Sequence, residues 1–137
     1  MSHTCSAALV RCMDFRLESA IEEYMANNKL TNDTDVISIA GAAKDVNDQS
    51  MGGAVAGQLA LSKKLHDINT IVLMNHTDCG GYGGRSAFES REAEWQNHVD
   101  ALNGAAAILK ATYPDVTIKK TIADINDDGS IEIKEVA

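Results

Sequence analysis

Aromatic side chains are scarce. The 137 residues include two Phe, three Tyr and one Trp. A core built from this chain rests on aliphatic and small side chains, and its 19 alanines and 10 glycines let layers approach closely. Proline occurs once, so no proline-rich linker divides the chain. Basic residues are outnumbered, 12 against 20 acidic, for a formal charge of −8. Nothing in that balance favours DNA, RNA or an anionic membrane as a partner. The longest strictly apolar run, Ala105–Leu109, falls far short of the roughly 20 residues of a membrane span. The start, MSHTCSAALV, has neither the basic region nor the apolar stretch of a signal peptide, so the expected location is the cytoplasm. Three cysteines, an odd number, make a poor disulfide framework. Cys5, Cys12 and Cys79 are expected to be reduced or bound to metal. At 45% hydrophobic and 23% charged residues the chain is expected to fold, with residues 1–137 forming a single domain.

The apolar pattern switches between two periods. Ser6–Val10, Asp35–Ala40, Thr70–Met74, Val116–Ile122 and Ser130–Val136 read as strands. Thr70–Met74 is nearly continuous, as in a strand covered on both faces. Val116–Ile122 alternates as an outer strand would, and the last run reads as a half-exposed edge. Three helical stretches fill the gaps. Leu17, Ile21, Tyr24 and Met25 mark the first, and Ala54, Val55, Leu59 and Leu65 fall in the second. Phe88, Trp95, Val99, Leu102, Ala106, Leu109 and Tyr113 mark the third, with Ser86 and Glu89 as its capping box and Pro114 after its end. The order predicts an α/β fold. Its mainly parallel sheet has strand order 2-1-3-4, a C-terminal edge strand and helices on both faces. Ligands of such sheets bind at the carboxyl ends of the strands, where strand order reverses.

Unusual chemistry stands at those ends. Arg11-Cys12-Met13-Asp14-Phe15-Arg16 follows the first strand, and Asn75-His76-Thr77-Asp78-Cys79-Gly80-Gly81 follows the third. Cys12, His76 and Cys79 make a Cys₂His set of the type that binds zinc, with a fourth position left for water or substrate. Against this, free cysteines are often simply small buried residues. In extended chain Cys12, Asp14 and Arg16 project to one side. Asp14 then has three readings: a fourth ligand that closes the site, a carboxylate paired with Arg16 that accepts a hydrogen bond from water on the metal, or a helix N-cap.

The blocks Cys12-x-Asp14-x-Arg16 and His76-x-x-Cys79-Gly80, with Ile39-Ala40-Gly41-Ala42 between them, resemble the signatures of the β-class carbonic anhydrases. The resemblance covers roughly residues 6 to 84. It implies that Cys12, His76 and Cys79 bind Zn²⁺, that Asp14 and Arg16 form a catalytic dyad, and that the subunit works as a homodimer or larger homo-oligomer. The implied reaction is that of a zinc lyase, the reversible hydration of carbon dioxide to bicarbonate and a proton. Two departures stand out. At this length the chain is expected to lack the family's usual N-terminal helical arm, and Ser38-Ile39-Ala40-Gly41 replaces the frequent Arg-Asn-Ala-Gly. Alternative readings are a carbonyl sulfide or carbon disulfide hydrolase on the same site, or a non-catalytic zinc module closed by Asp14. His66 and His98 are the spare imidazoles for proton transfer, and surface positions are expected for both.

Two further segments carry double readings. Gly80-Gly81-Tyr82-Gly83-Gly84 either cradles an anion with backbone N–H groups or supplies close approach and positive φ. Asp124–Glu135 matches the EF-hand calcium loop position by position, but the β-like runs that flank it favour a hairpin with an Asp-Asp-Gly turn.

Overall fold

The computed structural model describes residues 3–137. Its elements are β1 (Ala7–Arg11), a 3₁₀ turn (Phe15–Leu17), α1 (Glu18–Asn27), β2 (Thr34–Ser38), α2 (Ala43–Asp48), α3 (Ala54–His66), β3 (Thr70–His76), α4 (Arg91–Thr112), β4 (Thr117–Ile125) and β5 (Ile131–Val136), with short 3₁₀ turns at Gly80–Tyr82 and Arg85–Ala87. The sheet order is β2-β1-β3-β4-β5. All pairs are parallel except β4 with β5. The α/β architecture, the 2-1-3-4 order and the C-terminal edge strand are as the sequence predicts.

Alternation along the strands builds a core on each face. Ala8 and Val10 of β1, with Ile71 and Leu73 of β3, pack in one cluster with Val55 and Leu59 of α3 and Leu102, Ala105 and Leu109 of α4. Leu9, Val72 and Met74 point the other way, onto Leu17, Ile21 and Tyr24 around α1. β3 is therefore buried on both sides. The two edges differ. β5 alternates apolar residues with Glu132 and Lys134. β2 carries Val36, which is 56% exposed.

Three expectations need correction. The capping box of the third helix is not at Ser86 and Glu89. Arg85–Ala87 forms a 3₁₀ turn, and the N-cap is Ser90, whose hydroxyl accepts from Ala93 N at 3.0 Å. β4 is not an outer strand, because β3 and β5 flank it and its second half is buried. α2 is an additional helix. It begins after Ala42, which sits at φ 47°, and it is stabilised by Asp45, whose buried carboxylate accepts from Met51 N, Gly53 N and Val55 N in the turn leading to α3.

Candidate metal centre

Cys12 follows β1 directly, His76 ends β3, and Cys79 comes three residues later. β1 and β3 are hydrogen-bonded neighbours in register Arg11↔Met74, so the two strand ends deliver the three side chains to one point. Their ligand atoms all lie within 4.8 Å of one another, and all three residues are buried. The two sulfurs are 3.8 Å apart. That matches the edge of a tetrahedron with metal–sulfur bonds of about 2.3 Å, which is about 3.8 Å. His76 Nδ1 lies 2.7 Å from the Thr77 carbonyl oxygen, to which only an N–H can donate. Nε2 is thereby left with its lone pair, and it is buried without a partner. An orphaned nitrogen facing two close sulfurs is the donor set of a borderline-soft divalent cation, and the residues fit zinc.

The two thiols share one negative charge, and backbone N–H groups face both sulfurs. Cys12 is drawn below the usual thiol range by a hydrogen bond from Cys79, by His76 and by N–H groups of Gly41 and Asp14. Cys79 is pushed up in turn by the Cys12 charge and by burial, while the N–H groups of Gly81 and Tyr82 act in the opposite sense. The glycines of the loop serve close approach and positive φ. A Cβ on Gly81 would stand 2.9 Å from both Cα and N of Gly41, and Gly83 and Gly84 have φ of 89° and 79°.

Asp14 caps the 3₁₀ turn and pairs with Arg16 at the same time. Its Oδ1 accepts from Arg16 N at 2.9 Å, capping the 3₁₀ turn, and Oδ2 accepts from Arg16 Nη2 at 2.8 Å. Arg16 first, through this fork, holds the Asp14 carboxyl down at about 2. Oδ2 is also 3.8 Å from His76 Nε2, so the dyad faces the Cys₂His group while engaged by the arginine.

Several residues that sequence reasoning passed over hold this arrangement. Buried Arg11 donates to the carbonyls of Cys12 (2.8 Å) and Asp14 (3.2 Å) and pairs with Glu18, which clamps the whole segment. Arg16 also reaches Asp78, at Oδ2 (3.1 Å) and at the backbone O (3.0 Å). Glu94, fully buried on α4, accepts from Asp78 N at 2.6 Å and from Arg85 Nε at 3.2 Å. A signal for part of this network was present. Glu94, His98, Leu102, Ala105 and Leu109 are the buried stripe of α4 at steps of three and four, one position off the stripe read from its apolar residues at the helix start.

His98 is not a surface residue. It is fully buried, edge-on to Tyr82 at 4.9 Å, with Nδ1 3.1 Å from Asn75 Nδ2. Burial lowers it to about 4. His66 is part-buried at the opposite end of the sheet, beside Asp35. The EF-like segment is the β4–β5 hairpin with Gly129 at φ 88°. Asp124 pairs with Lys134, and Asp127 pairs with Arg91. No group of its carboxylates converges as a cation site among the described residues.

A mainly parallel α/β sheet with a Cys₂His cluster that could hold a metal at a strand-order reversal defines the class, and the comparisons narrow it. A family model described as "Putative carbonic anhydrase" matches residues 2–134, and the chain belongs to that family. An uncharacterized protein of Rickettsia bellii is 29% identical over 133 residues, covering 93% of this chain and 80% of its own length. The uncharacterized protein RC0076 of Rickettsia conorii is also 29% identical over 133 residues, with 93% and 70% covered. The crystal structure of β-carbonic anhydrase isoform I from Trichomonas vaginalis superposes with a TM-score of 0.63 at 18% identity, over 96% of this chain and 83% of that one. It shares the fold.

Proposed function

We propose that the protein is a zinc-dependent carbonate dehydratase that interconverts carbon dioxide with bicarbonate and a proton. Cys12, His76 and Cys79 hold the metal, and Asp14 and Arg16 are the catalytic dyad. The observation that carries the reading is the partnerless, buried Nε2 of His76 facing two sulfurs 3.8 Å apart, with the Asp14 carboxylate 3.8 Å from the same nitrogen. Zinc bound there would acidify water and make it nucleophilic near neutral pH, an effect for which three-histidine carbonic anhydrase sites are the standard case.

The chain's own groups do the rest. Asp14, held ionised by Arg16, is a permanent acceptor that orients the attacking water through its hydrogen. Arg16 holds the carboxylate in a fork, and with zinc bound this grip would keep Asp14 from acting as a ligand and leave room for water. Its second grip, on Asp78, ties the dyad to the turn that carries Cys79. The Cys12–Arg16 segment also presents Met13 and Phe15 to solvent, at 65% and 84% exposure. These are the apolar surface that a second subunit would cover in a homodimer. The three unpaired thiols suit the reducing cytoplasm.

Zinc content and stopped-flow CO₂ hydration test the reading in wild type, Cys12→Ser, Cys79→Ser and Asp14→Asn. The serine variants should lose zinc. Asp14→Asn should keep it and turn over about 10–100-fold more slowly. Full zinc in both serine variants would overturn the ligand set. A zinc-loaded wild type that hydrolyses carbonyl sulfide or carbon disulfide but does not hydrate CO₂ would overturn the substrate.

A further inference from the structure

A second group of ligand-type side chains lies at the amino ends of the strands. Cys5 precedes β1, Asp35 is near the start of β2, and His66 is the last residue of α3. Their sulfur, oxygen and nitrogen atoms all lie within 4.8 Å of one another. We infer that Cys5, Asp35 and His66 form a second site for a divalent transition-metal cation of the zinc type, on the face of the fold opposite the Cys12 centre.

Three observations make it a built site rather than a chance meeting. The Cys5 backbone is fixed, since Cys5 N donates to His66 O at 3.1 Å and the next residue, Ser6, is bound through its N–H to Asp33 O at 3.1 Å. The carboxylate is oriented, since Asp35 Oδ2 accepts from Ser62 Oγ at 2.6 Å and lies 2.7 Å from His66 Nδ1. The bond from Ser62 is of the outer kind that usually supports metal-ligating carboxylates, and the His66 contact holds two of the donors side by side. A fourth donor is at hand, since the His3 ring lies 4.8 Å from the His66 ring, centroid to centroid. Closing the Cys5, Asp35 and His66 donors around a zinc-sized ion needs ligand–ligand separations of about 3.3–3.8 Å, so these three side chains have only about 1 Å to move. A thiolate and a carboxylate also balance the charge of a divalent cation.

The same residues do not assemble a nucleophilic cysteine. The Cys5 thiol donates to Ala7 O at 3.5 Å, not to His66. Cys5 and Cys12 are seven residues apart along extended chain, roughly 20 Å, so the two centres do not share ligands. This cation ties the N-terminal segment to β2 and α3. Its loss should leave turnover at the Cys12 centre unchanged.

Wild-type protein carrying one zinc per chain is titrated with further Zn²⁺, and with Co²⁺ to report thiolate coordination by charge-transfer absorption. Alkylation of Cys5 is followed by mass spectrometry in parallel. The expected result is a further equivalent of metal that slows Cys5 alkylation roughly tenfold or more and raises the thermal midpoint. Cys5→Ser and His66→Gln should lose that equivalent and keep the first. Cys5 alkylation indifferent to saturating zinc in wild type overturns the site, and that measurement needs no variant. A further equivalent that survives both substitutions overturns it too. The readouts are sensitive to Cys5 and His66, not to total zinc, so they separate this site from the Cys12 centre whatever that centre binds.

Discussion

Acidification should destabilise the fold through His98, and the amount follows from its surroundings. Asn75 Oδ1 accepts from Ala43 N at 3.2 Å, which fixes the orientation of the amide and turns its NH₂ toward His98 Nδ1. Nδ1 therefore accepts, and the single proton sits on buried Nε2. A second proton on Nδ1 would face an N–H donor inside the core. Burial, with a smaller contribution from His76 against the opposing pull of Glu94, places the folded value at about 4 against an ordinary 6.5. The unfolded chain thus takes up a proton that the folded chain refuses. This contribution to stability is present above pH 6.5 and is lost as the pH falls toward 4. Linkage puts the loss at about 2 kcal/mol between pH 7 and pH 5, and about 3 kcal/mol by pH 4. Urea unfolding of the zinc-loaded protein at pH 7, 6 and 5 measures it. His98→Asn keeps an acceptor near Nδ1 and leaves a small cavity, so it should be less stable at pH 7 by about 1–3 kcal/mol. Its stability should fall less steeply with acid by the stated 2 kcal/mol. Parallel pH dependences in wild type and variant would refute the argument, as would an imidazole that titrates near 6.5 by NMR in the folded protein.

Gly81→Ala forces a Cβ to within 2.9 Å of Gly41 backbone atoms, which cannot yield as a side chain would, so urea unfolding should show a loss of about 1–3 kcal/mol. The same shift moves the N–H groups that face Cys12 and Cys79, and zinc content after dialysis should fall with it. Ser90→Ala removes the cap of α4 and should cost about 1 kcal/mol in the same assay without changing zinc content.

Much of this structure could be read from local pattern. The continuous apolar run of β3, the period-two runs of the other strands and the intervening helical stretches fix the class. The right-handed crossover rule restricts the topologies, and in the 2-1-3-4 order β1 lies beside β3, which is what joins Cys12 to His76 and Cys79. What escaped was set by tertiary contact. α2 has six residues, most of them polar, and it rests on Asp45 and on a left-handed Ala42 that no propensity favours. Glu94 and His98 look like the solvated face of a helix. They are buried because Arg85, Asp78 N and Asn75 wait for them on other elements. The second donor group needed β2, the end of α3 and the chain before β1 to converge, and only His3 and Cys5 are neighbours in sequence.

The unlike edges of the sheet give its growth a direction. Along β5 Glu132 and Lys134 are exposed on one face and Glu135 on the other, and a further strand laid there would have to align with charge on both. β2, only five residues long with Val36 exposed at its middle, carries one charge, Asp35, and that one is engaged by Ser62 and His66. A sheet with one permissive side behaves as a capped template. Two copies that met through β2 about a twofold axis would each use up their sole receptive edge, and the ten-stranded result would present charged strands at both ends. Such an assembly is self-limiting at two, whereas a sheet receptive on both sides would propagate into a filament.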